Sequence, residues 1–262
     1  MQLNYYVVDA FTTGAAFSGN PAGVCLLEHD LPDALMQQIA AQNNLAETAF
    51  VRKNGADYLQ RWFTPATEIN LCGHATLGTA FVLHKFVEPR ATVFRFHTMS
   101  GLLTVTPKGE LYELDFPAWP MQQVEVTPLM RQGIGCEIME AHAARDLILL
   151  VENEAAVRGI APDFAALMEI PNYHGVVATT APGNDCDFVS RVFAPKVGIN
   201  EDHVTGSVHS ELISFWAQRL SKDALLARQF SPRGGTLHCE NRGERVKIAG
   251  QARLYLTGKI FL

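Results

Sequence analysis

Two ten-residue stretches of this chain, Arg61-Trp-Phe-Thr-Pro-Ala-Thr-Glu-Ile-Asn70 and Arg191-Val-Phe-Ala-Pro-Lys-Val-Gly-Ile-Asn200, agree at five of ten positions. The first runs on through Gly73-His74 into a helical segment. The second, after three extra residues, runs through Gly206-Ser207 into another. Each helix then leads to a strand hairpin, Gly101–Phe116 in one half and Thr236–Leu256 in the other. A strand, loop, glycine, helix and hairpin in the same order twice constrain the chain to a duplicated lobe. The expected division is residues 1–117 and 118–262, with the last strand able to pack back onto the first lobe.

Local patterns fill in the first lobe. Leu3–Asp9, Val24–Leu27, Glu47–Arg52, Tyr58–Phe63 and Thr92–His97 read as strands. Leu31–Asn43 reads as a helix with Pro32 near its first turn. The helix beginning near His74 carries Ala75-Thr-Leu-Gly-Thr-Ala-Phe-Val-Leu83, small or apolar on every side, as a helix surrounded by sheet must be. In the second half Val208, Leu212, Phe215, Trp216 and Leu220 form a broad apolar stripe. The expected class is α+β, with two similar lobes, each a barrel-like, mostly antiparallel sheet around a central helix. The alternation of a doubly wound parallel fold is missing, and no GxGxxG follows a strand, so a dinucleotide site is unsupported.

Charge narrows the partners. The formal net charge is −6 and no run of Lys and Arg occurs, which argues against nucleic acid. Apolar runs fall well short of the roughly 18 residues a membrane helix needs, so no membrane partner is expected. The five cysteines are scattered with no CxxC pair, unlike a disulfide framework or a zinc knuckle. The first nine residues carry no basic, signal-like segment. A reducing cytoplasm is the expected location.

Four segments together resemble the phenazine-biosynthesis (PhzF-like) family, which shares its fold with diaminopimelate epimerase and proline racemase. They are Val8-Asp-Ala-Phe-Thr12 with Ser18-Gly-Asn-Pro-Ala-Gly-Val24, Glu47-Thr-Ala-Phe50, Phe63-Thr-Pro65 through Cys72-Gly-His-Ala-Thr76, and Asp202-His-Val-Thr-Gly-Ser207. The resemblance implies two lobes with a small carboxylate substrate between them. It implies an isomerase that moves a proton without metal or organic cofactor, and a homodimer.

Site residues follow from both lines of reasoning. Moving a proton next to a carboxylate needs a base and a group that stabilises the developing charge. By resemblance Glu47 is the catalytic base and His74 a substrate-contacting acid or hydrogen-bond donor, while Asp202 and Ser207 bind or orient the substrate. Gly73 and Gly206 would let a ligand approach the free N–H groups of the helix starts, which attract anions. The bland alternatives are a solvated strand-end Glu47, a turn residue at Asp202, and His74 and Ser207 as caps. His203 and Val208-His209 depart from the family pattern and bear on the substrate more than on the reaction class. The two His read as local rather than catalytic. The racemase relatives place a Cys before the glycine of each helix start, and here those positions hold Cys72 and Thr205. One thiol and one hydroxyl cannot run a two-thiol racemisation. A racemase-type dehydratase or epimerase using Cys72 stays open as the alternative, as does a non-catalytic small-ligand binder.

Overall fold

The computed structural model describes residues 1–171, 173 and 177–262. The first elements are β1 (Gln2–Thr12), β2 (Asn20–Leu27), α1 (Asp33–Asn43), β3 (Glu47–Asn54), β4 (Asp57–Phe63), β5 (Glu68–Ile69), α2 (Gly73–Phe86), β6 (Phe94–Thr98), β7 (Gly101–Lys108) and β8 (Leu111–Pro117). There follow β9 (Gln122–Val124), α3 (Pro128–Ile134), β10 (Glu140–Ala143), β11 (Leu147–Leu150), α4 (Glu154–Gly159), α5 (Phe164–Glu169), β12 (Val177–Pro182) and β13 (Phe188–Ala194). The chain ends with β14 (Ile199–Asp202), α6 (Gly206–Leu220), β15 (Ala224–Gln229), β16 (Gly235–Asn241) and β17 (Arg245–Phe261). Two compact units result: Met1–Phe116 together with Ala249–Leu262, and Pro117–Ile248.

In the first unit the pairings run β1–β2 antiparallel, β2–β3 parallel, β3–β4 antiparallel, β4–β6 parallel, then β6–β7 and β7–β8 antiparallel. β8 meets β17, and β17 returns antiparallel to β1, from Gln2 opposite Phe261 to Thr12 opposite Gln251. Eight strands therefore close into a barrel, which leaves no open edge. Inside it α2 is buried at every residue from Gly73 to Leu83. Its two threonines spend their hydroxyls on the preceding turn, Thr76 Oγ1 donating to Cys72 O at 2.5 Å and Thr79 Oγ1 to Ala75 O at 2.8 Å. A polar side chain can lie inside a barrel on those terms. Outside, α1 covers the sheet through Met36, Ile39 and Ala40, packed with Phe50 and Phe63.

The second unit repeats the order of pairings. β10–β11 is antiparallel, β11–β12 parallel, β12–β13 antiparallel, β13–β15 parallel and β15–β16 antiparallel. α6 takes the place of α2, and Trp216 Nε1 donates to Thr180 Oγ1 at 2.9 Å. α3, α4 and α5 pack with β11 and β13 through Ile134, Leu149, Val157, Leu167 and Phe193.

The hydrogen-bond register corrects the ungapped alignment of the repeat. β5 turns back on β4 with Trp62 opposite Ile69 and Phe63 opposite Glu68. β14 turns back on β13 with Val192 opposite Asp202. Asp202 therefore answers to Ile69, and the three extra residues lie inside the aligned window, where Pro195–Val197 form a 3-10 turn. The Ile-Asn identity at Ile199-Asn200 is out of register. The equivalences that hold are Arg61 with Arg191, Cys72 with Thr205 and Gly73 with Gly206.

Candidate active site

Parallel pairing of β2 with β3, with Ala22 opposite Glu47, brings the starts of both strands to one end of the first barrel. α2 packs against β1, β2 and β3 and begins at the same end. Asn20 opens β2, Glu47 opens β3 and His74 is the second residue of α2. Their side chains meet. Glu47 Oε2 lies 3.0 Å from His74 Nε2, and Asn20 Nδ2 lies 3.3 Å from His74 Nδ1. Glu47, His74 and Asn20 are all buried, at 8%, 5% and 0% exposure. Gly19 makes the approach to β2 possible. Its φ is +80°, and a Cβ there would stand 2.5 Å from Ala10 O.

Cys72 is the residue before α2, in extended backbone, and it makes no side-chain cap bond. Its Sγ lies 3.6 Å from His74 Nδ1 and 4.0 Å from Nε2. Burial raises the Cys72 thiol first, the negative charge of Glu47 adds to that, and His74 opposes both. Around His74 burial works against a charged ring. The negative groups at Cys72 and Glu47, with their hydrogen bonds, outweigh it and hold the His74 pKa well above the usual histidine value. At 3.0 Å Glu47 stands nearer the His74 ring than Cys72 does, and the ion pair of this site is His74 with Glu47. The Asn20 amide can present its oxygen to an imidazolium or its nitrogen to a neutral ring. Glu47, Cys72 and His74 are also the cluster whose donor atoms, within 4.8 Å of one another, could hold a metal ion.

In the second unit the start of α6 gathers a different set. Thr205 precedes the helix and makes no side-chain cap bond. Its Oγ1 donates to Asp202 Oδ2 at 2.5 Å. Gln229 locks this corner, accepting from Thr205 N at 2.8 Å and donating to Thr205 Oγ1 at 3.1 Å and Asp202 O at 2.9 Å. Gly206 and Ser207 are the first two residues of α6. His209, one turn on, donates from Nδ1 to Thr205 O at 2.8 Å, and burial lowers its pKa to about 4. It is a neutral, structural histidine.

The structure thus brings Glu47, His74 and Gly73 together with Cys72 in one unit, and Asp202, Gly206 and Ser207 together with Thr205 in the other. Neither His74 nor Ser207 is a cap, since the residues at the cap positions are Cys72 and Thr205. Sequence reasoning missed two supporting residues. Asn20 lies within the Ser18–Val24 motif but carries no catalytic signal of its own, and Gln229 carries no local signal at all, because it reaches Thr205 only through the pairing of β13 with β15.

Comparison with known proteins agrees with this architecture. A family model described as phenazine biosynthesis-like protein (PhzC-PhzF) matches residues 8–258. An uncharacterized isomerase of Pseudomonas aeruginosa is 48% identical over the whole of both chains. The crystal structure of a PhzF-family phenazine biosynthesis protein from Enterococcus faecalis matches with a TM-score of 0.97 at 47% identity, covering all of both chains. A hydroxyproline epimerase of Agrobacterium vitis, solved with trans-4-hydroxy-L-proline, matches with a TM-score of 0.61 over 99% of this chain and 92% of that one. At 12% identity that likeness is one of fold alone. Among the described residues no helix is long and apolar enough to cross a membrane.

Proposed function

The chain belongs to the phenazine biosynthesis-like (PhzC-PhzF) family and is an isomerase of that family, and on that footing we propose that it moves one proton on a small, cyclic carboxylate substrate, with Glu47 as general acid and base and no metal or organic cofactor. Glu47 takes the proton from one carbon and returns it to another. One C–H bond breaks, one forms, the double bonds shift between them, and no atom or electron is gained or lost. His74, charged and 3.0 Å from Glu47, orients the carboxylate and supplies positive charge beside the electron density that develops on the substrate. The helix start at Gly73, with no side chain capping it, suits a substrate carboxylate. Asp202, Gly206 and Ser207 are assigned to substrate binding and orientation in this reading. A homodimer in the cytoplasm completes it, with light scattering expected to give twice the monomer mass.

The observation that carries the proposal is the buried Glu47–His74 pair at the start of α2. Proton exchange from heavy water into a panel of small cyclic carboxylates, followed by NMR, is the test. Exchange should occur with at least one acid and should fall by roughly 10²–10⁴-fold in Glu47→Gln, the range typical of a lost acid–base group. Undiminished exchange in that variant removes Glu47 from the mechanism.

One observation favours a second reading, a racemase-type dehydratase or epimerase with Cys72 as base: the thiol stands 3.6 Å from His74 Nδ1. Two others weigh against it. Burial raises the thiol, and the equivalent place in the second unit holds Thr205, whose hydroxyl already donates to Asp202. A second ionisable base is lacking there.

A further inference from the structure

Three donor atoms of different chemistry meet at the start of α2: a carboxylate oxygen of Glu47, an imidazole nitrogen of His74 and the sulfur of Cys72. All lie within 4.8 Å of one another, and all three residues are buried. A tetrahedral zinc ion has bonds of about 2.1 Å to N and O and about 2.3 Å to S, which sets neighbouring N and O about 3.4 Å apart and N and S about 3.6 Å apart. His74 Nε2 stands 3.0 Å from Glu47 Oε2 and 4.0 Å from Cys72 Sγ. These two separations are each about 0.4 Å from the zinc ideal, and the third, between Glu47 and Cys72, falls within the 4.8 Å that bounds the cluster.

We propose that Glu47, Cys72 and His74 form a site for a divalent cation of the zinc class, and that the bound ion switches proton transfer off. Binding replaces the thiol proton of Cys72 and the proton on His74 Nε2, both released to solvent, while the carboxylate of Glu47 turns its lone pair to the metal. Three protein ligands leave a fourth position open. The thiolate selects zinc over magnesium or calcium, which prefer all-oxygen ligand sets. Asn20, facing His74 Nδ1 at 3.3 Å, is placed as the outer partner that holds the ring while Nε2 is on the metal. The inhibitory part rests on the proposed role of Glu47 as the base; the binding part does not.

Cobalt(II) alone, titrated into the full chain under anaerobic reducing conditions, reads the site without any substrate. A thiolate-to-cobalt charge-transfer band should rise in the near ultraviolet, saturate at one equivalent and be abolished by added zinc. Cys72→Ser, close in size to the native residue and checked for folding by circular dichroism, should lose the band. His74→Gln and Glu47→Gln should each weaken zinc binding by at least about 100-fold, the upper end of what loss of a mere outer-shell partner costs. No band, a band surviving in Cys72→Ser, or unchanged affinity in either other variant overturns the site. Undiminished solvent exchange at saturating zinc overturns the switch. If no carboxylate exchanges at all, the isomerase reading fails while the cobalt titration still decides the metal site.

Discussion

Arg61 and Arg191 make the same pair of contacts in the two units. Arg61 grips Glu68 with Nε at 2.6 Å and Nη2 at 2.7 Å, and Arg191 grips Glu201 with Nε at 2.7 Å and Nη2 at 3.1 Å. Each guanidinium also lies over the phenylalanine two residues on, 5.2 Å from Phe63 and 5.0 Å from Phe193. The fork clamps the short return strand onto its partner just before the helix start, which is where both candidate clusters hang. Arg191 is the more enclosed and also donates to Ile160 O at 2.7 Å. Arg191→Ala should therefore cost about 3 kcal/mol, as breaking a largely buried pair does. Arg61→Ala should cost nearer 1 kcal/mol. Urea denaturation midpoints decide it, and equal or reversed losses would contradict the assignment.

The Glu47 and Cys72 readings separate cleanly by substitution. With Glu47 as the base, Cys72→Ala keeps substantial exchange on whichever acid the native protein labels, while Glu47→Gln is nearly inert. With Cys72 as the base the order inverts. Loss of exchange in Cys72→Ala beside intact exchange in Glu47→Gln would overturn the mechanism.

His74 supplies a pH signature. Its raised folded pKa means that the charge pair contributes stability fully below the ordinary histidine value of about 6.5, and that this is lost as pH rises through the higher folded value. The ring Cε1–H resonance should accordingly titrate well above 6.5, and Glu47→Gln should bring the midpoint down. A midpoint at or below the ordinary value in the native protein would show that Glu47 and His74 do not form a charged pair.

Glu211 predicts a second pH effect, in the other unit. It is fully buried on α6, accepts from Asp146 N at 3.1 Å, and burial with the nearby Asp146 charge raises its pKa to about 8. A raised folded pKa gives stability that is present below the unfolded value and lost as pH climbs from about 4.5 toward 8. Glu211→Gln keeps the accepting oxygen and removes the charge. The variant should gain stability over the native protein at pH 8 and show no gain at pH 4. Parallel melting-temperature profiles for the two proteins would refute this.

Periodicity and spacing made much of the first unit legible. The helix at Leu31–Asn43, the buried helix after Gly73 and the strands from Glu47 to Phe116 each carry their pattern within a few consecutive residues. Glu47 and His74 were legible singly, as members of motifs, and so were Asp202, Gly206 and Ser207. The region from Gln122 to Glu169 was not. α4 and α5 are six residues each and β9 is three, too short for a 3.6- or 2-residue period to declare itself.

Pairing between distant segments was decided only by the tertiary structure. Alternation says that a strand has two faces but not which neighbour it takes or in what register. The closure of the first barrel by β17 joins the chain's two ends, and the Ile-Asn match in the repeat fell out of register once Asp202 was seen opposite Val192. Glu47 and His74 are neighbours for the same reason. Nothing local links a strand start to a helix start so far along the chain. The parallel pairing of β2 with β3 brings Glu47 to the end of the barrel where α2 enters, and the closed sheet then shields the pair from water.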